Sequence, residues 1–144
     1  MRKAFAIVMR LRFFRLKKMQ RLNDEIKKLI DATEVFPFAT ASNNGIVNVV
    51  PIKFLQVVDD TTLWITDNYF DKTLNNLQIN PQAAFYIWSQ EIKKSYQIKG
   101  TIEIFQSGAN YEKMKKSVRE IKSTLPAKSL VVMHVTEVFD CMPK

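Results

Sequence analysis

Cysteine and histidine each occur once in this 144-residue chain, as Cys141 and His134, and glycine occurs only three times. One cysteine allows no disulfide within the chain, and the two residues together give too few ligands for a Cys- or His-rich metal site. They are expected to be a strand-end thiol and a strand imidazole. The glycines, Gly45, Gly100 and Gly108, are too scattered to form a Gly-rich phosphate loop. No pairing of Ser-His-Asp or Cys-His suggests an activated nucleophile. The longest charge-free apolar run of the head, from Ala4 to Met9, is far short of the ~20 residues a helix needs to cross a bilayer. The chain is expected in the cytoplasm.

The hydrophobic fraction of 47% and the aromatic fraction of 11% belong to a folded globular chain, and the length suggests one core. The net charge of +8 invites a nucleic-acid reading, but its distribution argues against one. The seven basic residues among the first 18 meet no acidic residue, and the remainder carries fifteen basic and fourteen acidic side chains. A nearly neutral body produces no long-range field suited to DNA or RNA. Residues 1–18 are read as a basic extension, either dispensable or touching an anionic membrane surface. Residues 19–144 are read as the folded domain.

Helical spacing of Leu22, Ile26, Leu29 and Ile30 behind a capping Asn23 predicts a helix over 23–33. FATAS is a strand leading into an Asn43-Asn44-Gly45 turn. The apolar run from Ile46 to Val58 is one long strand, with Pro51 demanding an edge or a bulge. Asp59-Asp60-Thr61 is a turn rather than a carboxylate pair. Strands follow at 62–66, 83–88, 95–106 and 129–139. In the third of these, Tyr96, Ile98 and Gly100 face one way, and Gln97, Lys99 and Thr101 the other. Helices are predicted from Lys72 to about Ile79, capped by Asp71, and along the stripe Tyr111, Met114, Val118, Ile121 and Leu125. Six strands and three helices, with short early turns, predict a mainly β (α+β) fold: a six-stranded antiparallel β-barrel with flanking helices.

The stretch TDNYFDKTLNNLQINPQ, from Thr66 to Gln82, is the chemically suggestive part. A helix start presents N–H groups without partners and the positive end of the dipole. Lys72 adds a full charge there, Thr73 a hydroxyl, and Asn75 and Asn76 amides. This donor set suits a phosphate, and equally suits an ordinary capped surface helix.

Four segments in order resemble the pyridoxamine 5'-phosphate oxidase superfamily of FMN-binding split β-barrels: FATASNNGIVNVVPIKF, TLWITDNYFDKTLNNLQINP, NPQAAFYIW and SYQIKGTIEI. The resemblance implies that Lys72 and Thr73 hold the FMN phosphate, with Thr66 and Asn76 beside it. It implies that Val49, Val50, Pro51 and Ile52 flank the isoalloxazine ring. Ser95 and Gln97 would reach the flavin bound mainly by a second subunit, making the protein a homodimer with FMN at its interface. Where the vitamin B6 oxidases carry basic residues on the strand at 50–55, this chain is read as having Val50 and Leu55. The tail VTEVFDCMPK has no match to the arginine and histidine that grip the pyridoxal substrate. Oxidation of pyridoxamine phosphate itself is therefore not expected. The implied function is a small FMN-dependent oxidoreductase of unknown substrate. Alternatives are a deazaflavin (F420) in place of FMN, a non-catalytic flavin or haem binder or sensor, and a membrane-surface protein acting through its basic head.

Overall fold

A computed structural model describes residues 18–142. Apart from Lys18, the expected basic extension lies outside the described residues. The elements run β1 (Lys18–Met19), α1 (Asp24–Asp31), β2 (Phe36–Ala41), β3 (Val47–Ile52), β4 (Leu55–Val57), β5 (Thr62–Asp67), α2 (Lys72–Ile79), β6 (Gln82–Ser89), β7 (Lys94–Phe105), α3 (Ala109–Ile121) and β8 (Ser129–Asp140). One antiparallel sheet holds them in the order β3-β2-β6-β7-β8-β5-β4, with the two-residue β1 added to β8. The sheet curls into a half-barrel with three helices packed on it.

The expected split barrel is present, but with seven strands along the sheet path rather than six. The difference lies in the run from Ile46 to Val58. It forms two strands because its two halves pair with different partners, β3 with β2 and β4 with β5. Lys53 and Phe54 turn the corner between them, and the Phe54 carbonyl accepts from Thr66 N at 3.0 Å. These two residues thus join opposite ends of the sheet and form the split of the barrel.

Pro51 lies in β3, at an edge of the sheet, as its missing N–H requires. It faces Pro37 in the ladder. Two prolines cannot exchange N–H···O bonds, so this is a non-hydrogen-bonded pair. Alternation along the ladder makes Ala39–Val49 another such pair. The N–H and C=O of Val49 and the C=O of Pro51 therefore point away from β2, toward the open edge.

Burial follows strand parity. Phe36 and Phe38 of β2, Leu63 and Ile65 of β5, Ile98 of β7, and Val131 and Met133 of β8 fill the interior with Ile26, Leu29 and Ile30 of α1. The outward Trp64, Leu130 and Val132 are buried as well, because Tyr111, Met114 and Val118 of α3 cover them. That double cover explains the continuous apolar lettering of β5 and β8. Asn23 caps α1 as expected, its Oδ1 accepting from Ile26 N at 2.9 Å. Asp71 precedes α2 but makes no side-chain capping bond. Ile121, placed on the buried stripe of α3 by its spacing, is 74% exposed because the helix ends there, and Leu125 completes the cluster from the following loop.

Gly100 sits at a register shift in the β7–β8 ladder. A Cβ there would lie 2.4 Å from the His134 carbonyl oxygen and 2.8 Å from Met133 Cγ. Gly100→Ala is expected to cost about 1–3 kcal/mol through overpacking. A urea midpoint equal to that of the parent protein would show that the bulge relaxes freely.

Tyr96 ties β7 to α1 by donating its hydroxyl to Glu25 Oε1. Burial, then the Glu25 hydrogen bond and the nearby carboxylate charges, hold its phenol well above the ordinary range. A raised folded-state value gives stability that is complete below the unfolded phenol's ~10 and is lost as pH rises toward the folded value. Melting temperature should therefore fall as pH rises above about 10, and Tyr96→Phe should flatten part of that limb. An identical alkaline slope in the variant would assign the loss to other groups.

Candidate functional site

A cavity of about 830 Å³ opens at the split of the barrel. Three pieces of chain wall it: β3 with the Lys53–Phe54 corner, the link from Thr66 to the start of α2, and the segment after α3. Val49, Val50, Pro51, Ile52, Thr66, Lys72 and Thr73, all singled out in the sequence, line it together. Asn76, Ser95 and Gln97 do not line it.

The link between β5 and α2 is held from beneath. Asp67 is fully buried; its Oδ2 accepts from Ser129 Oγ and its Oδ1 from Phe70 N, both at 2.9 Å. Lys128 Nζ lies 3.6 Å from Asp67 Oδ1 and donates to the Phe70 carbonyl at 3.0 Å. Asn68 Oδ1 accepts from Ala127 N at 3.0 Å, and the Ala127 carbonyl accepts from Tyr111 OH at the same distance. These bonds hold Ala127 at φ 44°, a backbone region unusual for a residue with a side chain. Phe70 stacks on Phe38 with ring centroids 6.2 Å apart. Asp67, Asn68 and Phe70 thus pin the wall that precedes α2.

The leading N–H groups of α2 have no helical partners, and the Asp71 side chain does not cap them. Thr73 is buried on the inner side of this turn, and its Oγ1 accepts from Asn48 Nδ2 at 3.1 Å. Asn48 Nδ2 also donates to Thr40 Oγ1 at 3.2 Å, and Asn76 Nδ2 donates to the same oxygen at 3.1 Å. Asn76 therefore braces α2 against β2 instead of facing the cavity. Ser95 and Gln97 lie on the sheet face that also bears Tyr86 and Trp88, their ladder partners.

Lining residues that the sequence did not single out include Asn48, Lys53, Tyr69, Phe70 and Lys122. Asn48 left a readable trace: it is the one polar residue in IVNVVPI, at an inward strand position. Lys53 supplies, at the barrel corner, a cation on the strand stretch where Val50 and Leu55 were expected to leave none. Lys122 gave no local signal, since only the packing of α3 brings it to the cavity. His134 is elsewhere, exposed on β8 with Nε2 2.6 Å from Glu103 Oε2. Among the described residues no group of three His, Cys, Asp or Glu side chains could hold a metal ion. No helix among them is long and apolar enough to cross a membrane.

An antiparallel sheet curled into a half-barrel, with a cavity at the split and an uncapped helix start on its wall, defines the split-barrel class. Residues 22–142 match the family profile of pyridoxamine 5'-phosphate oxidase, and the chain belongs to that family. An uncharacterized protein of Methanocaldococcus jannaschii is 33% identical over 123 residues, 83% of this chain and 80% of that protein. Among solved structures, HupZ of Group A Streptococcus is 27% identical with a TM-score of 0.75, covering 84% of this chain and 94% of that one. An FMN-binding protein from Syntrophomonas wolfei shares the fold at 21% identity and a TM-score of 0.72, covering 82% and 84% of the two chains. The fold recurs in an F420 reductase (19% identity, TM-score 0.60, covering 78% and 94%). It also recurs in HutZ, the haem storage protein of Vibrio cholerae (16%, 0.62, covering 85% and 96%).

Proposed function

We propose that the chain is a cytoplasmic, homodimeric FMN-binding protein that acts as a flavin-dependent oxidoreductase on a substrate still to be found. The observation that carries the proposal is the meeting of Lys72, Thr73 and the open first turn of α2 with the free edge of β3 in one cavity of about 830 Å³. That volume suits a flavin mononucleotide, since small-molecule sites fall at about 300–1,000 Å³. The donor set suits its phosphate: unpartnered helix N–H groups, one ammonium and one hydroxyl. The Val49 N–H and C=O and the Pro51 C=O on the open edge suit the hydrogen-bonding rim of an isoalloxazine. Thr66 closes the cavity at the end of β5.

A bound flavin supplies the hydride chemistry, and the protein's share is position, electrostatics and exclusion of water. Lys72 neutralises phosphate charge. Phe70 and Tyr69 cover the wall opposite β3.

The dimer rests on one sheet face. Val47 and Val49 are 79% and 63% exposed, and Tyr86 and Trp88 of β6 stand on the same face at 52% and 59%. The ladders Val49–Ala39, Ala39–Ala84 and Ala84–Lys99 make that face continuous from β3 to β7. So large an apolar patch fits a second copy of the chain, which would bring Ser95 and Gln97 toward the partner's cavity.

The test is a titration of the apoprotein with FMN and with riboflavin, alongside sedimentation of the loaded protein. FMN should bind at least about tenfold tighter than riboflavin, because only FMN uses the charge-assisted phosphate contacts. The mass should be twice 16.8 kDa. Equal affinity for the two flavins would remove the phosphate site, and a monomer that holds FMN fully would remove the shared interface. NAD(P)H-driven turnover would separate an oxidoreductase from a binding or sensing protein.

A further inference from the structure

The buried polar chain beneath α2 carries an inference that rests on the FMN reading above. Four side chains from three elements form it: Thr40 of β2, Asn48 of β3, and Thr73 and Asn76 of α2. Thr40 and Thr73 are almost wholly buried, and Asn48 and Thr73 line the cavity. Asn48 spends both protons of its amide, one on Thr40 Oγ1 at 3.2 Å and one on Thr73 Oγ1 at 3.1 Å. Thr40 Oγ1 receives a second donor from Asn76 at 3.1 Å.

A hydroxyl has one proton to give and two lone pairs to fill. Because Asn48 donates to Thr73, the Thr73 oxygen fills a lone pair from beneath and keeps its proton for the cavity side. With an acceptor at position 48, the Thr73 proton would turn inward, and lone pairs would face an incoming anion. Thr40 strengthens this arrangement. Two amide donors already converge on its oxygen, so it gives Thr73 no competing lone pair.

We infer that Asn48 is a positioning residue: it orients the Thr73 hydroxyl as a donor to the ligand's phosphate without touching that phosphate itself. Its effect must then pass through Thr73 and must concern the phosphate alone. A merely structural role for Asn48 would weaken FMN and riboflavin together.

The test is a double-mutant cycle with Asn48→Leu and Thr73→Val, read as the ratio of riboflavin to FMN dissociation constants, with thermal melting recorded for each variant. Asn48→Leu should lower the FMN preference about tenfold or more, the scale of one hydrogen bond to a charged group. Riboflavin affinity should stay within about twofold. In the Thr73→Val background the same substitution should leave the ratio unchanged. An undiminished FMN preference in Asn48→Leu would overturn the inference, and so would an equal loss with and without the Thr73 hydroxyl. Asn48→Ala serves if the leucine variant fails to fold, and it should lower the preference by a similar factor. Failure of the parent protein to prefer FMN over riboflavin would overturn the FMN reading itself, a result distinct from both.

Discussion

Replacing Asp67 with alanine is expected to lower stability by about 3 kcal/mol, since it strips the partners from buried donors and unpins the wall of the cavity. The carboxylate is fully buried and accepts from Ser129 Oγ and Phe70 N. Without it, both donors are stranded in the interior, and the half-exposed Lys128 loses its ion pair. The link that carries Asn68, Tyr69 and Phe70 into the cavity should loosen as well, so flavin affinity should fall along with stability. Asp67→Asn keeps the size and one accepting oxygen, so its cost should be smaller, about 1 kcal/mol. Chemical denaturation of the two variants beside the parent protein checks the order. An alanine variant as stable as the parent would mean that the link is held by Asn68 and Lys128 alone.

Lys72→Ala is expected to weaken FMN binding by about 10- to 100-fold, the range for one lost charge-assisted phosphate contact. Lys72 is exposed on the first turn of α2, so its removal should leave melting temperature nearly unchanged. Riboflavin affinity should not move, because riboflavin offers no phosphate. Raising the salt concentration should shrink the difference between Lys72→Ala and the parent, as expected for a solvent-facing cation. Full FMN affinity in the variant would reduce Lys72 to a solvated lysine beside a helix start. The work of holding the phosphate would then pass to the helix N–H groups, Thr73 and Lys53.

Much of this layout was legible before any coordinates. The limits of α2, Lys72 to Ile79, followed from the Asn80-Pro81 stop, because a residue before proline avoids the helical region. Alternation along β7 gave its two faces correctly, since side-chain period alone decides them. Seven of the ten expected site residues share one cavity because they sit on two short stretches that local pattern could recognise.

What escaped was set by distant pairing. Nothing local marks Lys53–Phe54 as a corner; the break appears only because β3 and β4 join opposite ends of the sheet. Asp67 lies in plain view in the sequence, yet its burial depends on Ser129 and Lys128, some sixty positions away. Asn76 sits at a spacing suited to a helix-start anion site, but Thr40 on a neighbouring strand captures its amide. Ile121 fits the apolar stripe of α3 and is exposed because the helix stops there, a boundary that periodicity does not define.

The central claim is that the cavity at the barrel split holds FMN by its phosphate. The measurement that tests it most directly is the visible absorption spectrum of freshly purified protein, with mass spectrometry of whatever is released on denaturation. The expected result is a yellow protein with flavin absorption that releases FMN, or a colourless one that takes up added FMN with near-stoichiometric binding. Release of a deazaflavin or haem would keep the fold and replace the chemistry. A colourless protein that also refuses added FMN would contradict the account, and Lys72 and Thr73 would then do no more than begin a helix.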